Sequence, residues 1–343
     1  MHLGPLMLDL TGSELVGEER DILEHPLVGG VILFSRNYES PRQLAALTKA
    51  IRRVRDPAPV IAVDHEGGRV QRFRDGFTRL PAVRKLGTWY DADKRGSLDG
   101  ARQLGWLMAV ELIAQGVDLS FAPVLDLDYG LSGVIADRAF HADVTKVTAL
   151  AEAYVQGMHA AGMSAVGKHF PGHGGVVEDS HEAMPVDVRR YADIKATDIE
   201  PFRGLMSRGL LDGVMPAHVI YKDVDTAPAG FSRRWIQQIL RAELGFQGLV
   251  FSDDLNMAAA HAAGSFTDRA QAAMEAGVDM ILVCNNRVGA IEVLDNFRWP
   301  ITRTSSQRIE YMRARPPVSG VEPVGSAQWR QAVLVAEDLI RQA

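Results

Sequence analysis

The chain has 343 residues, 47% of them hydrophobic, and a formal net charge of −6. That is enough apolar material for one large domain or two small ones, a large α/β barrel included. The acidic balance gives no electrostatic case for binding nucleic acid or an anionic membrane. One cysteine, Cys284, excludes an intrachain disulfide.

The N-terminal MHLGPLMLDLTGSEL has no basic n-region, so no signal peptide is expected. No apolar run approaches the length that spans a bilayer. A soluble cytoplasmic protein is the default expectation. Short apolar runs then recur along the chain, at 5–10, 29–34, 59–68, 118–127, 164–170, 212–221, 248–255 and 279–286. They are rich in Val, Ile, Leu and Phe with little alternation, as strands buried on both faces are. The last holds Cys284 in MILVCNN, where a buried apolar thiol is expected rather than a nucleophile. Between the runs, 40–55, 101–116, 145–162, 232–245 and 266–277 carry helical spacing, several opening on Ser or Thr and closing on Gly. Eight strands interleaved with helices predict a single-domain α/β fold, a (β/α)8 TIM-type barrel. A doubly wound sheet is the alternative. TRLPAVRKLGTWYDADKRG (78–96) reads as a surface excursion, and 288–343 as C-terminal helices packed on the barrel.

In such barrels the chemistry lies at the carboxyl ends of the strands, and polar residues collect at those ends here. The third run ends in VDHEGGRVQR, with Asp64, Glu66, Arg69 and Arg72. The fifth leads into Lys168 and His169, then a glycine-rich loop with Asp179 and His181. The sixth ends with His218 and the seventh with Asp253 and Asp254. Four such endings at one face point to a site.

The stretch KHFPGHGGVVEDSH (168–181) admits several chemistries. Pro171 and Gly172 argue against a helix aligning His169 and His173 on a metal. Glycines 172, 174 and 175 could offer amides to a phosphate, but the phosphate-loop pattern is absent. In Asp179-Ser180-His181, a carboxylate bending back onto the imidazole would create a tuned acid/base. The alternative is an aspartate capping a turn beside a solvated histidine.

Together VDHEGGRVQRF (63–73), GVIADRAFH (133–141), KHFPGHGGVVEDSH (168–181) and FSDDLNM (251–257) resemble glycoside hydrolase family 3, and within it the bacterial cytoplasmic β-N-acetylglucosaminidases of peptidoglycan recycling. HPLVGGVILFSRNY (25–38) also fits, and the resemblance runs from about residue 4 to about 290. It implies a (β/α)8 barrel and a retaining double displacement. Asp253 matches the nucleophile, with Asp254 as chemical runner-up whose expected role is to bond nearby backbone. His181 matches the acid/base and Asp179 its orienting partner, a departure from the usual two-carboxylate arrangement. Lys168, His169, Asp64, Arg72 and Arg138 match substrate-binding positions. Arg69, Glu66, His173 and His218 receive no role beyond scaffold.

Larger family members carry a second α/β domain that supplies a glutamate acid; this chain ends before one and carries Asp-x-His instead. The resemblance therefore implies an exo-β-N-acetylhexosaminidase acting on cell-wall muropeptides. It implies no metal, no organic cofactor and no protein partner. A phosphorylase, and a sugar-binding module that has lost activity, are the rival readings.

Overall fold

All eight apolar runs form strands, because each is a short stretch of Val, Ile, Leu, Met or Phe with nowhere to go but inward. The computed structural model describes residues 2–180, 183–315 and 324–341. Among these, the strands are β1 (Leu6–Asp9), β2 (Val28–Leu33), β3 (Val60–Val63), β4 (Leu119–Ser120), β5 (Val166–Phe170), β6 (Gly213–Pro216), β7 (Leu249–Asp254) and β8 (Met280–Val283). They pair in parallel in the order β4-β3-β2-β1-β8-β7-β6-β5. The ring closes between its ends: Val124 bridges Lys168, and the Val166 and Lys168 amides donate to the carbonyls of Ala122 and Pro123. The fold is a (β/α)8 barrel.

The strands bury both faces, the inner against one another and the outer against helices, which is why they do not alternate in polarity. The T-shaped pair Phe121 and Phe251, with ring centroids 5.1 Å apart, joins the aromatic packing of β7 to the segment after β4. The expected helices form and are closed by the residues that suggested them. Ser40 caps Pro41–Arg52, Ser265 caps Phe266–Ala276, and Gly162 and Gly277 end their helices in the left-handed conformation. Arg234–Glu243 winds with π-type hydrogen bonds.

The stretch expected as a surface excursion differs. It contains the helix Arg84–Ala92, which buries Leu86, and a short hairpin (His65–Gly67 with Val70–Gln71) precedes it. Leu86 and Trp89 lie three apart on one helical face, a period the intervening charges obscure. Near the C-terminus, the Trp329 indole donates to Glu111 and the Leu3 amide to Ser306. No described helix is long and apolar enough to cross a membrane.

The helices Lys94–Ala114 and Val144–Ala161 approach each other closely through glycines. A Cβ at Gly157 would lie 2.0 Å from the Arg102 carbonyl oxygen, and one at Gly105 2.1 Å from that of Tyr154. Helix propensity alone would make Gly157→Ala stabilising by ~1 kcal/mol. Backbone is a neighbour that cannot step aside, so overpacking should outweigh this by ~1–3 kcal/mol. Gly157→Ala should therefore move the urea midpoint down; a midpoint at or above that of the parent would refute the close-approach argument.

Candidate active site

The mouth of the barrel is organised by two buried carboxylates. The first is Glu66, just past β3. Arg138 grips it with two hydrogen bonds, Nε to Oε2 and Nη2 to Oε1, both 2.8 Å. The Lys168 ammonium, 3% exposed, lies 2.6 Å from Glu66 Oε1 and 2.9 Å from Asp64 Oδ1. Arg72 flanks the other oxygen of Asp64 at 3.6 Å and rests over the Phe34 ring. Charge thus alternates along Arg72, Asp64, Lys168, Glu66 and Arg138. Burial alone would raise the Glu66 carboxyl, but the Arg138 and Lys168 cations hold it well below the usual carboxylate range. Burial would likewise discharge Lys168, and the two carboxylates raise it instead.

The second carboxylate is Asp126, fully buried beyond β4. Its Oδ2 accepts His169 Nδ1–H at 2.7 Å, and its Oδ1 accepts the amides of His169 and His173 at 3.2 and 2.7 Å. The contact fixes the His169 tautomer, leaving Nε2 unprotonated in the neutral ring. The two histidine rings meet edge to face at 6.0 Å, yet each has its own partner. His173 Nε2 is hydrogen-bonded to Ser180 Oγ at 3.1 Å, and burial lowers its pKa. Among the described residues no group of three or more His, Cys, Asp or Glu is arranged to hold a metal ion.

At the end of β7, Ser252 Oγ accepts the Leu282 amide, pinning β7 to β8 just before the two aspartates. Asp253 Oδ1 accepts the Asp254 amide at 2.8 Å. Asp254 turns its Oδ1 to the backbone amides of Asn256 and Cys284, and its own carbonyl meets His218 Nε2. Burial, with the charges of Asp253 and Asp9, pushes the Asp254 carboxyl up to about 7. Cys284 is buried, and burial raises its thiol well above the ordinary value.

Asp64, Arg72, Arg138, Lys168, His169, Asp179, Asp253 and Asp254 all border one cavity of about 550 Å³. They come from the ends of three strands and from the loops beyond β3, β4 and β5, and only ring closure makes them neighbours. His181 lies outside the described residues.

The comparisons with known proteins agree with the barrel fold. Residues 7–310 match the glycosyl hydrolase family 3 N-terminal domain. The chain belongs to glycosyl hydrolase family 3. It is 54% identical over 322 residues to the β-hexosaminidase of Methylobacillus flagellatus, covering 94% of this chain and 92% of that protein. With the β-hexosaminidase of Thioalkalivibrio sulfidiphilus it shares 53% identity, covering 99% and 97%. Among solved structures, NagZ from Neisseria gonorrhoeae superposes with a TM-score of 0.93 at 44% identity, covering 99% of this chain and 98% of that one; a second structure of that relative holds N-trifluoroacetyl-D-glucosamine.

Four features of this family 3 barrel differ from, or go beyond, what the sequence suggests. Glu66 holds both Arg138 and Lys168 and so shapes the site. Asp126 escapes notice because its run, DLSFAPVLDL, is apolar overall; the strand-end rule applied to it would find the carboxylate. Loop glycines ordinarily serve to free the backbone. Instead a Cβ at Gly174 would fall 1.7 Å from the Leu127 carbonyl oxygen, and one at Gly172 2.7 Å from Asp198 Cβ. They allow close packing at the base of the loop. Arg69, given no role, donates to the carbonyls of Gly133 and Val134 and so ties down the segment leading to Arg138.

Glu66→Gln should leave two buried cations short of a counter-charge and lower stability at pH 7 by ~3–5 kcal/mol. The folded-state pKa of Glu66 lies below the unfolded one, so its contribution is complete above ~4.3 and is lost as pH falls further toward the folded value. The gap between parent and variant should accordingly be flat above that pH and narrow below it. Urea titrations across pH 3–8 measure this; a gap that widens on acidification would contradict the assignment.

Proposed function

We propose that this family 3 glycoside hydrolase is a cytoplasmic, exo-acting, retaining β-N-acetylhexosaminidase. It removes non-reducing terminal N-acetylglucosamine from peptidoglycan fragments such as those ending in anhydro-N-acetylmuramic acid, with the whole chain serving as one catalytic unit. The observation that carries the reading is the single cavity in which Asp253 faces Asp64, Lys168, His169 and Arg138. Alternating carboxylates and cations suit a sugar, because adjacent hydroxyls each donate one hydrogen bond and accept another. The cavity volume suits a small ligand held at one end. The names of the relatives, and the N-acylglucosamine ligand of one of them, support the same substrate class.

The chemistry proceeds in two displacements. The Asp253 carboxylate attacks the anomeric carbon while the imidazolium of His181 gives its proton to the departing glycosidic oxygen. That leaves a glycosyl ester on Asp253 and a neutral His181. His181 then takes a proton from water, the oxygen attacks the anomeric carbon, and Asp253 departs as carboxylate. Asp179, two residues before His181 and bordering the same cavity, orients the imidazole and stabilises its charged form. Lys168, His169, Asp64, Arg72 and Arg138 hold the sugar. No metal or organic cofactor enters these steps.

Asp253→Asn should fold and lose nearly all turnover, and a slow fluorinated substrate should label Asp253 in the parent enzyme. A label on Asp254, or on no carboxylate, would overturn the nucleophile assignment.

His181→Ala should separate substrates by their leaving groups. An aryl β-N-acetylglucosaminide departs with little protonation, so its first step should survive and a burst of product should appear as the glycosyl-enzyme accumulates. The natural disaccharide needs the proton, and its first step should slow by ~10²–10⁴-fold. Pre-steady-state turnover of both substrates measures this. Equal losses without a burst would place the proton donor elsewhere.

A further inference from the structure

The segment between His173 and Ala183 carries the acid/base pair, and within it residues 177–179 turn toward solvent while Val176 and Ser180 on either side are buried. Val177 and Glu178 are exposed and Asp179 is half-buried. Ser180, at 2% exposure, returns to the interior beyond them. Its hydroxyl is hydrogen-bonded to His173 Nε2 at 3.1 Å, and its carbonyl accepts the Ala259 amide at 3.2 Å. Neither partner is incidental. His173 is itself buried, and its amide donates to Asp126 Oδ1, on the carboxylate that also orients His169. Ala259 belongs to the 3-10 turn Ala258–Ala263, which three residues separate from the strand end that carries Asp253. One small residue therefore joins the loop both to the sugar-binding side of the cavity and to the nucleophile's side.

We propose that Ser180 is a positioning residue: by docking on His173 and Ala259 it sets the loop so that the flanking Asp179 and His181 reach the glycosidic oxygen. A serine suits the task. It offers a short hydroxyl that fits a buried slot, and its backbone carbonyl remains available for the second contact. With its base packed at Gly174 and Val176, the loop meets the nucleophile's side through Ser180, and a single contact of that kind can release and re-form as substrate enters and leaves, which a loop packed along its whole length cannot do. The carboxyl arm is braced independently: the Ile220 amide donates to the Pro185 carbonyl, and Val186–Asp187 pairs with Ile220–Tyr221. That arm does not need Ser180. The proposal rests on the Asp179–His181 acid/base reading, and the test separates the two.

The variant is Ser180→Ala, measured beside the parent and beside His181→Ala. Two readouts are taken: amide hydrogen exchange along the chain, and pre-steady-state turnover of an aryl β-N-acetylglucosaminide and of the disaccharide. Docking predicts faster exchange in 176–180 and at Ala259, with the barrel strands unchanged. It also predicts a disaccharide first step slowed by roughly 3–10-fold, the equilibrium worth of one net hydrogen bond, while the aryl first step is unaffected. Unchanged exchange in 176–180 overturns the proposal. So does an equal loss on both substrates, which marks a general structural defect and not a misplaced proton donor. His181→Ala tests the underlying reading by itself: if it slows both substrates alike, the acid/base assignment fails, and the exchange data still decide whether Ser180 docks the loop.

Discussion

A buried ammonium group needs negative charge around it, and the mouth of this barrel is arranged to provide it. Lys168 projects from β5 into a space that water barely reaches, with Asp64 on one side and Glu66 on the other. Removing such a cation from water costs several kcal/mol, and only close, hydrogen-bonded partners offset the cost. The arrangement extends outward on both sides: Arg72 balances Asp64, and Arg138 balances Glu66 through a two-point grip. Because each charge needs its neighbours, β3, the segment around 138 and β5 are held in one relative position. A sugar entering the cavity meets a rigid set of donors and acceptors and need not organise them itself.

Asp126 plays the corresponding part for the loop. One of its oxygens takes the imidazole of His169, and the other accepts two backbone amides, those of His169 and His173. His169, proposed to hold the sugar, and the loop base are thereby set by the same carboxylate. The close packing of Gly172 and Gly174 against Asp198 and Leu127 serves the same end. Asp198 in turn binds Arg189 and accepts from Tyr129, so the far arm of the loop is fastened to the same wall. The anchored base and braced arm hold the two sides of the stretch proposed to carry the acid/base pair.

The two adjacent aspartates at the end of β7 divide their tasks by environment. Asp254 spends one oxygen on two backbone amides, is buried, and is pushed up toward neutrality. It is a brace that fixes the turn after the strand. Asp253, one residue earlier, borders the cavity with an oxygen steadied by the amide that follows it. Both border the cavity, and it is burial and backbone hydrogen bonding that separate a brace from a candidate nucleophile.

The sequence by itself determined the architecture. Eight uninterrupted apolar runs separated by capped helical segments leave little besides a barrel, because strands with no polar face must be covered on both sides. It also marked the strand ends where polar residues gather, and Asp64, Arg72, Arg138, Lys168, His169, Asp179 and Asp253 do border one cavity. What it could not reveal is which polar residues serve one another. Glu66 is 72 residues from the arginine it holds, and Asp126 is 43 and 47 from the two histidines it anchors. No local period encodes such pairings; they exist only once parallel strands distant in the chain lie side by side. Likewise, a glycine that permits a turn and a glycine that admits a neighbouring carbonyl are the same letter. Only the tertiary structure, by placing the Leu127 carbonyl against Gly174, decides between them.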